Sequence, residues 1–217
     1  METSGNAAAI AVTDGSSKPA ERVLLGKGQR HAQTLVSSTQ QLLSDLAIRP
    51  TEIDVVAVSV GPGSFTGLRV GVVFAKTFAW LNDTRLVAVN TLQGIAQRLA
   101  SHPVTVISDA QREEVFVGDY RIDSETGVQE LQGDIRIESI DSLSPSGLLT
   151  GPALTRFSDR VSSDFPRAEP ALWSPSAVAV AEVAMQRASA QNWDDPFALE
   201  PLYIRRSYAE EKKAGSG

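Results

Sequence analysis

Residues 55–71 read Val-Val-Ala-Val-Ser-Val-Gly-Pro-Gly-Ser-Phe-Thr-Gly-Leu-Arg-Val-Gly. Val55 to Val60 is apolar on both faces, as a strand inside a parallel sheet is. A glycine-rich turn then leads into an apolar helix that ends near Trp80. Strand, turn and helix in that order are the building unit of an α/β layer fold. Such a junction directs free backbone N–H groups along the helix dipole, a geometry that suits an anion. It equally lets Gly61 and Gly63 supply the backbone angles of a tight turn. The stretch has no Lys-Ser/Thr pair and no Gly-x-Gly-x-x-Gly spacing, so neither a Walker A loop nor a dinucleotide fingerprint is present.

The helix carries its own pattern. Gly67, Gly71, Ala75 and Ala79 form one small-residue stripe, flanked by Val70, Val73, Phe74, Thr77, Phe78 and Leu81. Only Arg69 and Lys76 are charged between Thr66 and Leu81. Two glycines inside a helix cost roughly 1 kcal/mol each relative to alanine, and close packing is what can offset that. A helix apolar nearly all round is buried on more than one side. The sheet takes one side; either a second subunit or the rest of the domain takes the other.

Outward from this unit, Ala7 to Thr13 and Arg22 to Leu25 read as a hairpin around the turn residues Asp14 to Pro19. From His31 to Leu46 the period becomes helical, with Leu35, Val36, Leu42, Leu43 and Leu46 on one face. Leu86 to Val89 and Val104 to Ile107 repeat the buried-strand pattern. Thr91 is expected to cap a helix reaching about Ala100. Glu114 to Ile122 and Val128 to Ile137 read as an antiparallel pair. Leu148 to Pro152 reads as a strand ending in a tight turn, and Arg156 to Pro170 has no clear period. Ser174-Pro175 is the expected start of a helix to about Gln191. The tail from Ala209 is polar and expected to be disordered.

Composition bounds the function. The chain has 217 residues, 42% hydrophobic and 21% charged, enough apolar material for a real core. Its net charge of −6 makes it a poor candidate for binding nucleic acid unaided. There is no cysteine, which excludes disulfides and thiolate catalysis and fits a reducing cytoplasm. The two histidines, His31 and His102, lie far apart, which speaks against a histidine metal site and leaves an oxygen-only site open. No apolar run approaches the roughly 20 residues that span a bilayer. Asp109 follows a buried strand, where it could orient a ligand or satisfy loop N–H groups. Ser64 and Thr66 have no nearby histidine base.

The segment Gly61 to Gly71, with Val55 to Val58 before it, closely resembles the bacterial TsaB (YeaZ) family. The resemblance spans nearly the whole chain. It includes Glu2-Thr3-Ser4, Asn90-Thr91-Leu92, Asp109-Ala110, Glu114-Val115 and Pro201-Leu202-Tyr203-Ile204-Arg205. Departures are Ser37 in place of a frequent Pro, Gln111 and Glu113 in place of Arg and Gly, and Phe116 in place of Tyr.

The resemblance implies an actin-like, sugar-kinase and heat-shock-ATPase (ribonuclease H-like) fold with two related subdomains. Residues 1–102 would form the first, 103–208 the second and 209–217 a tail. It implies a non-catalytic subunit, cytoplasmic and without membrane contact, in the formation of threonylcarbamoyladenosine beside the anticodon of ANN-decoding tRNAs. TsaD-like and TsaE-like proteins would be its partners, a homodimer a further possibility, and tRNA would be met only through the complex. ATP and a metal ion would belong to the partner subunits. No catalytic or metal-binding residue is expected in this chain. The family-motif loop would be Gly61, Pro62, Gly63, Ser64, Phe65, Thr66, Gly67 and Arg69. The partner interface would be Leu35, Leu42, Gly67, Val70, Gly71, Phe74, Ala75 and Phe78. Gly71→Leu is then expected to abolish partner binding and leave the chain folded. The rival readings are an ATP-dependent phosphotransferase and a glycoprotease-like peptidase of the same superfold. The family carries a strand of about five apolar residues before Glu-Thr-Ser. Here Met1 stands directly before Glu2, so the translation start is expected to lie upstream.

Overall fold

The computed structural model describes residues 1–5, 7–15, 19–24 and 31–204. The expected tail from Ala209 lies outside the described residues, as do Leu25 and part of the turn before Pro19.

Strands β1 (Ala8–Val12) and β2 (Ala20–Leu24) form the expected antiparallel hairpin. Helix α1 (His31–Asp45) follows. Leu35, Leu42 and Leu43 are buried, whereas Val36 is 61% exposed and Leu46 38%, so the apolar face is narrower than expected. Strand β3 (Val55–Gly61) leads into α2 (Phe65–Asn82), and β4 (Arg85–Asn90) returns parallel to β3. Met1 and Glu2 lie between β1 and β3. The Met1 amine donates to Ala57 O (2.7 Å) and Ser59 N–H to Met1 O (3.2 Å), a parallel rung. Glu2 and Ala9 exchange both backbone bonds at 2.8 Å, an antiparallel rung.

Helix α3 (Thr91–Gln97) is shorter than expected and its cap is Asn90. The Asn90 side chain accepts from Leu92 N–H at 2.8 Å, while the Thr91 hydroxyl turns inward and accepts from Gly61 N–H at 3.1 Å. Strand β5 (Val104–Asp109) belongs to a second sheet. There it runs antiparallel to β6 (Glu114–Ile122) and parallel to β9 (Leu148–Thr150). The run Val128 to Ile137 is two strands, not one. Both β7 (Gln129–Leu131) and β8 (Arg136–Ser139) pair with β6, separated by residues 132–135, with Gly133 at φ +80°. A short α4 (Leu154–Phe157) follows β9. Helix α5 (Ala177–Ser189) starts two residues later than expected, because Ser176 rather than Ser174 accepts from its first turn.

The halves repeat one plan. In each, a hairpin is followed by a parallel strand that ends in Gly-Pro and turns into a helix. Gly61 has φ +125° and Gly151 φ +120°, backbone that glycine adopts without strain. A Cβ on Gly151 would collide with the Ile107 backbone, and one on Gly63 with the Ser4 backbone. At both turns the backbone passes close to a neighbouring strand or segment, through Gly151 in the second half and through Gly63 in the first.

Burial follows from this arrangement. α2 covers one face of β3 and β4 through Val56, Val58, Val72, Ala75 and Leu86. α5 covers the other through Val87, Val89, Val180 and Val183. The outer edge of β4 is closed by side chains. Ala88 N–H donates to Asp194 at 2.7 Å, and Arg187 donates to Ala88 O at 2.7 Å, which satisfies groups that an open edge would leave free.

Candidate partner interface

The glycine loop is a turn, and three of the N–H groups along it are used within the chain. Gly61 N–H goes to Thr91, Ser64 N–H to Ser4 O at 2.8 Å, and Gly67 N–H to the Ser64 hydroxyl at 3.2 Å. Ser64 thereby caps α2. Pro62 follows Gly61 through a cis peptide bond. Leu202 N–H donates to Val60 O at 2.7 Å, so the C-terminal segment is fastened over the same turn. These bonds are those expected of the tight turn.

The small-residue stripe faces inward. Gly67, Gly71, Ala75 and Ala79 are all buried, and the atoms they meet belong to this chain. A Cβ on Gly67 would strike Thr3 O, and one on Gly71 the Thr3 hydroxyl. The glycines exist because Met1 to Ser4 passes directly across α2. This corrects the expectation for Gly71→Leu: the added side chain strikes the chain's own core. Leu35 and Leu42 are likewise buried, at 1% and 6% exposure, and pack with Ala8 and Ile10 beneath Val70 and Phe74.

What α2 turns outward is a different set. Val73 is 62% exposed, Trp80 69% and Leu81 66%. With Thr77 between them they hold i, i+4, i+7 and i+8 spacing, one face of a helix. Val70, Phe74 and Phe78 are half-buried between this face and the core, with the Phe74 and Phe78 rings 6.1 Å apart. Toward its start, α2 carries an exposed polar-aromatic cluster. The Arg69 guanidinium lies 3.9 Å from the Phe65 ring centroid and donates to the Tyr203 hydroxyl at 3.1 Å. Lys76 donates to Leu199 O at 3.0 Å. Thr66 is exposed beside this cluster. Near the other end, Phe197 is 79% exposed and shares a cleft of about 240 Å³ with Trp80. Sequence reasoning missed Trp80 and Phe197 because it tied the interface to the stripe. The signal for Trp80 was a large apolar residue on the side of α2 opposite the glycines; Phe197 lies outside any periodic segment and gave none.

Elsewhere the candidate chemistry is internal. Asp109 accepts from Gln111 N–H at 2.7 Å within its own loop and pairs with Arg156 of α4 at 3.1 Å. Gln111, Arg112 and Glu113 all have positive φ. Glu113 pairs with Arg156 and Arg160. Glu2 is buried, and one of its carboxylate oxygens accepts from Ser4 N–H. Among the described residues, no cluster of three His, Cys, Asp or Glu side chains is placed to hold a metal, and no helix is long and apolar enough to cross a membrane.

Comparison with known proteins agrees on one family. Residues 27–213 match the family model described as "TsaD: tRNA N6-adenosine threonylcarbamoyltransferase". The chain is 35% identical over 95 residues to the tRNA threonylcarbamoyladenosine biosynthesis protein TsaB of Bacillus subtilis, a match covering 43% of this chain and 42% of that one. It is 26% identical over 199 residues to TsaB of Escherichia coli, covering 86% of each. The solved structure of YeaZ from Pseudomonas aeruginosa superposes with a TM-score of 0.81 at 20% identity, over 94% of this chain and 97% of that one, which shows a common fold.

Proposed function

Because the chain belongs to the family that the TsaD-type model describes, and within it to the TsaB/YeaZ proteins, we propose that it serves tRNA threonylcarbamoyladenosine formation as the non-catalytic partner of a TsaD-like subunit. The relatives' names support a part in making this modified nucleoside. The actin-like α/β fold is the frame on which that part is played.

The observation that carries the subunit reading is the outward face of α2. Exposed apolar side chains on a soluble surface mark contact sites when they are large and contiguous. Val73, Trp80 and Leu81 meet that description, with Phe65, Arg69 and Tyr203 toward one end and Phe197 toward the other. Tryptophan, tyrosine and arginine are the residue types that dominate binding energy at interfaces. In this reading Val70, Phe74 and Phe78 support the face from behind, and Leu35, Leu42, Gly67, Gly71 and Ala75 hold it in place. ATP and a metal ion are used by the partner subunits, a TsaE-like ATPase joins them in the cytoplasm, and tRNA is met through the complex. The net charge of −6 supports that last point.

The test is co-purification of Trp80→Glu with the TsaD-like protein of the same cell. A buried charge at a central anchor is expected to weaken capture by about thirtyfold or more, a loss of ~2 kcal/mol. Thermal unfolding of the free chain stays unchanged, because Trp80 is exposed. Undiminished capture overturns the assignment of the face. Self-association lost through the same variant, with TsaD capture intact, assigns the face to a homodimer instead. ATP or peptide turnover by the purified chain alone overturns the non-catalytic role.

A further inference from the structure

At its C-terminal end α2 borders the cleft of about 240 Å³ that Trp80 shares with Phe197. Trp193 lines the same cleft, and so does Asp83, the residue that closes α2. We propose that this cleft seats one arginine side chain of the partner, an assignment that rests on the TsaD-like reading of the α2 face.

The first support is size and chemistry of the walls. A site for a drug-sized ligand holds roughly 300–1,000 Å³. This cleft is smaller and takes a single long side chain. Trp80 is 69% exposed and Phe197 79%, so both rings are open to a side chain from outside. A guanidinium is planar, weakly hydrated and stacks on aromatic rings, tryptophan above all. Among the described residues the chain's own arginines lie over Phe65 and Phe157, and none lies over a ring of this cleft.

The second is the end of the helix. Asp83 N–H and Thr84 N–H both donate to Ala79 O, and Arg85 N–H donates to Asp54 O. Among the described residues no backbone N–H answers Trp80 O or Leu81 O. The negative end of an 18-residue helix therefore stands open beside the rings, where a cation is favoured.

The third is charge. Asp83 is exposed and makes no ion pair among the described residues. The other charges nearby are engaged or lie elsewhere. Lys76 donates to Leu199 O at 3.0 Å and to Phe197 O at 3.4 Å. Asp194 accepts from Ala88 N–H and pairs with Arg187 at 3.1 Å. Arg85 also lines the cleft. Its neighbour Leu86 packs with α2, and successive strand residues point to opposite faces, so Arg85 belongs to the face that α5 covers. An apolar side chain in this seat would cover Asp83 and leave it without a partner. The net charge of −6 draws a basic partner surface toward the chain.

The experiment measures binding of the TsaD-like protein of the same cell to three variants at low and high salt. Asp83→Asn removes the charge and keeps the fold, because asparagine suits the φ of +52° at that position. It is expected to weaken binding about tenfold and to flatten the salt dependence. Phe197→Ala, which removes one ring, is expected to lose about as much. Asp159→Asn, an exposed carboxylate in the second half, is expected to change nothing. Binding and salt dependence unaltered in Asp83→Asn overturn the inference, and loss in Phe197→Ala alone assigns the cleft to an apolar side chain instead. Trp80→Glu separates the two levels. If it abolishes binding while Asp83→Asn does not weaken it, the arginine seat falls and the α2 face stands; if neither variant matters, both fall. A second readout needs no partner. Tryptophan fluorescence of the free chain is titrated with acetyl-arginine amide and with its neutral isostere, acetyl-citrulline amide. Only the arginine compound is expected to produce a saturable change, and Asp83→Asn to remove it. An equal response to both compounds overturns the inference.

Discussion

Strand β5 and the Met1–Glu2 pair sit at matching places in the two sheets, and they differ in length. Each lies between an antiparallel neighbour and a parallel neighbour, the latter ending in Gly-Pro. β5 pairs along all six of its residues, and five of them are buried. Ile107 at its heart touches a core of Val115, Val117, Leu149 and Leu154. Met1 and Glu2 give the first sheet one rung on each side, and the space beyond them is a cavity of about 580 Å³ between Ile10–Val12 and Val55–Ala57. The difference teaches that helices on both faces do not close an α/β core by themselves. The central strand supplies the backbone partners and the apolar side chains that both layers need.

The largest expected effect separates the two centres directly. Ile107→Ala removes a fully enclosed side chain and is expected to cost about 3–5 kcal/mol in denaturant unfolding. Ile10→Ala, 4% exposed and lining the cavity beyond Met1, is expected to cost about 2 kcal/mol, the low end for a buried isoleucine, because the cavity leaves it fewer packing neighbours. Equal losses would break the comparison.

Gly71→Leu comes next. Its side chain must displace Thr3, and overpacking of this kind is expected to cost about 3 kcal/mol. A variant that unfolds at the original denaturant concentration would show that Met1 to Ser4 does not lie across α2.

The third expectation concerns pH and tests how closely Met1 is packed between β1 and β3. In the chain beginning at Met1 the amine has a folded pKa of about 6 against 8.0 when free. The unfolded chain therefore binds more protons between these values. This group's contribution to stability is complete above about pH 8 and is lost as pH falls toward 6, a change of about 2–3 kcal/mol at most. Unfolding midpoints at pH 6 and pH 8 measure it.

The smallest effect lies where the halves meet. Asn90→Ala removes the α3 cap and the 3.4 Å contact from the Tyr120 hydroxyl, for an expected loss of about 1 kcal/mol by thermal unfolding. No change would mean that Thr91, not Asn90, starts the helix.

Period and punctuation made the element order legible. The β3–turn–α2 unit, the hairpin, α1 and the antiparallel β6 pairings all stand where their patterns put them. Misreadings cluster where local chemistry offers two equal choices. Asn90 and Thr91 are both good caps, and Ser174 and Ser176 are both good starts. Only the contact of Thr91 with Gly61, and the bond from Ala179 N–H to Ser176, decide between them. Val128 to Ile137 alternates like one strand, yet residues 132–135 break the ladder.

The interface shows the same division. The sequence by itself determined that α2 is apolar nearly all round and carries a stripe of glycine and alanine, because spacing and composition are local facts. Which face of α2 meets this chain and which meets another is not a local fact. It was decided by where Met1 to Ser4 runs, more than sixty residues away in sequence from Gly67 and Gly71. Close approach of that segment to α2 turned the glycines inward and left Val73, Trp80 and Leu81 facing out. A pattern along one helix records that something packs closely, and only the tertiary fold supplies what it is.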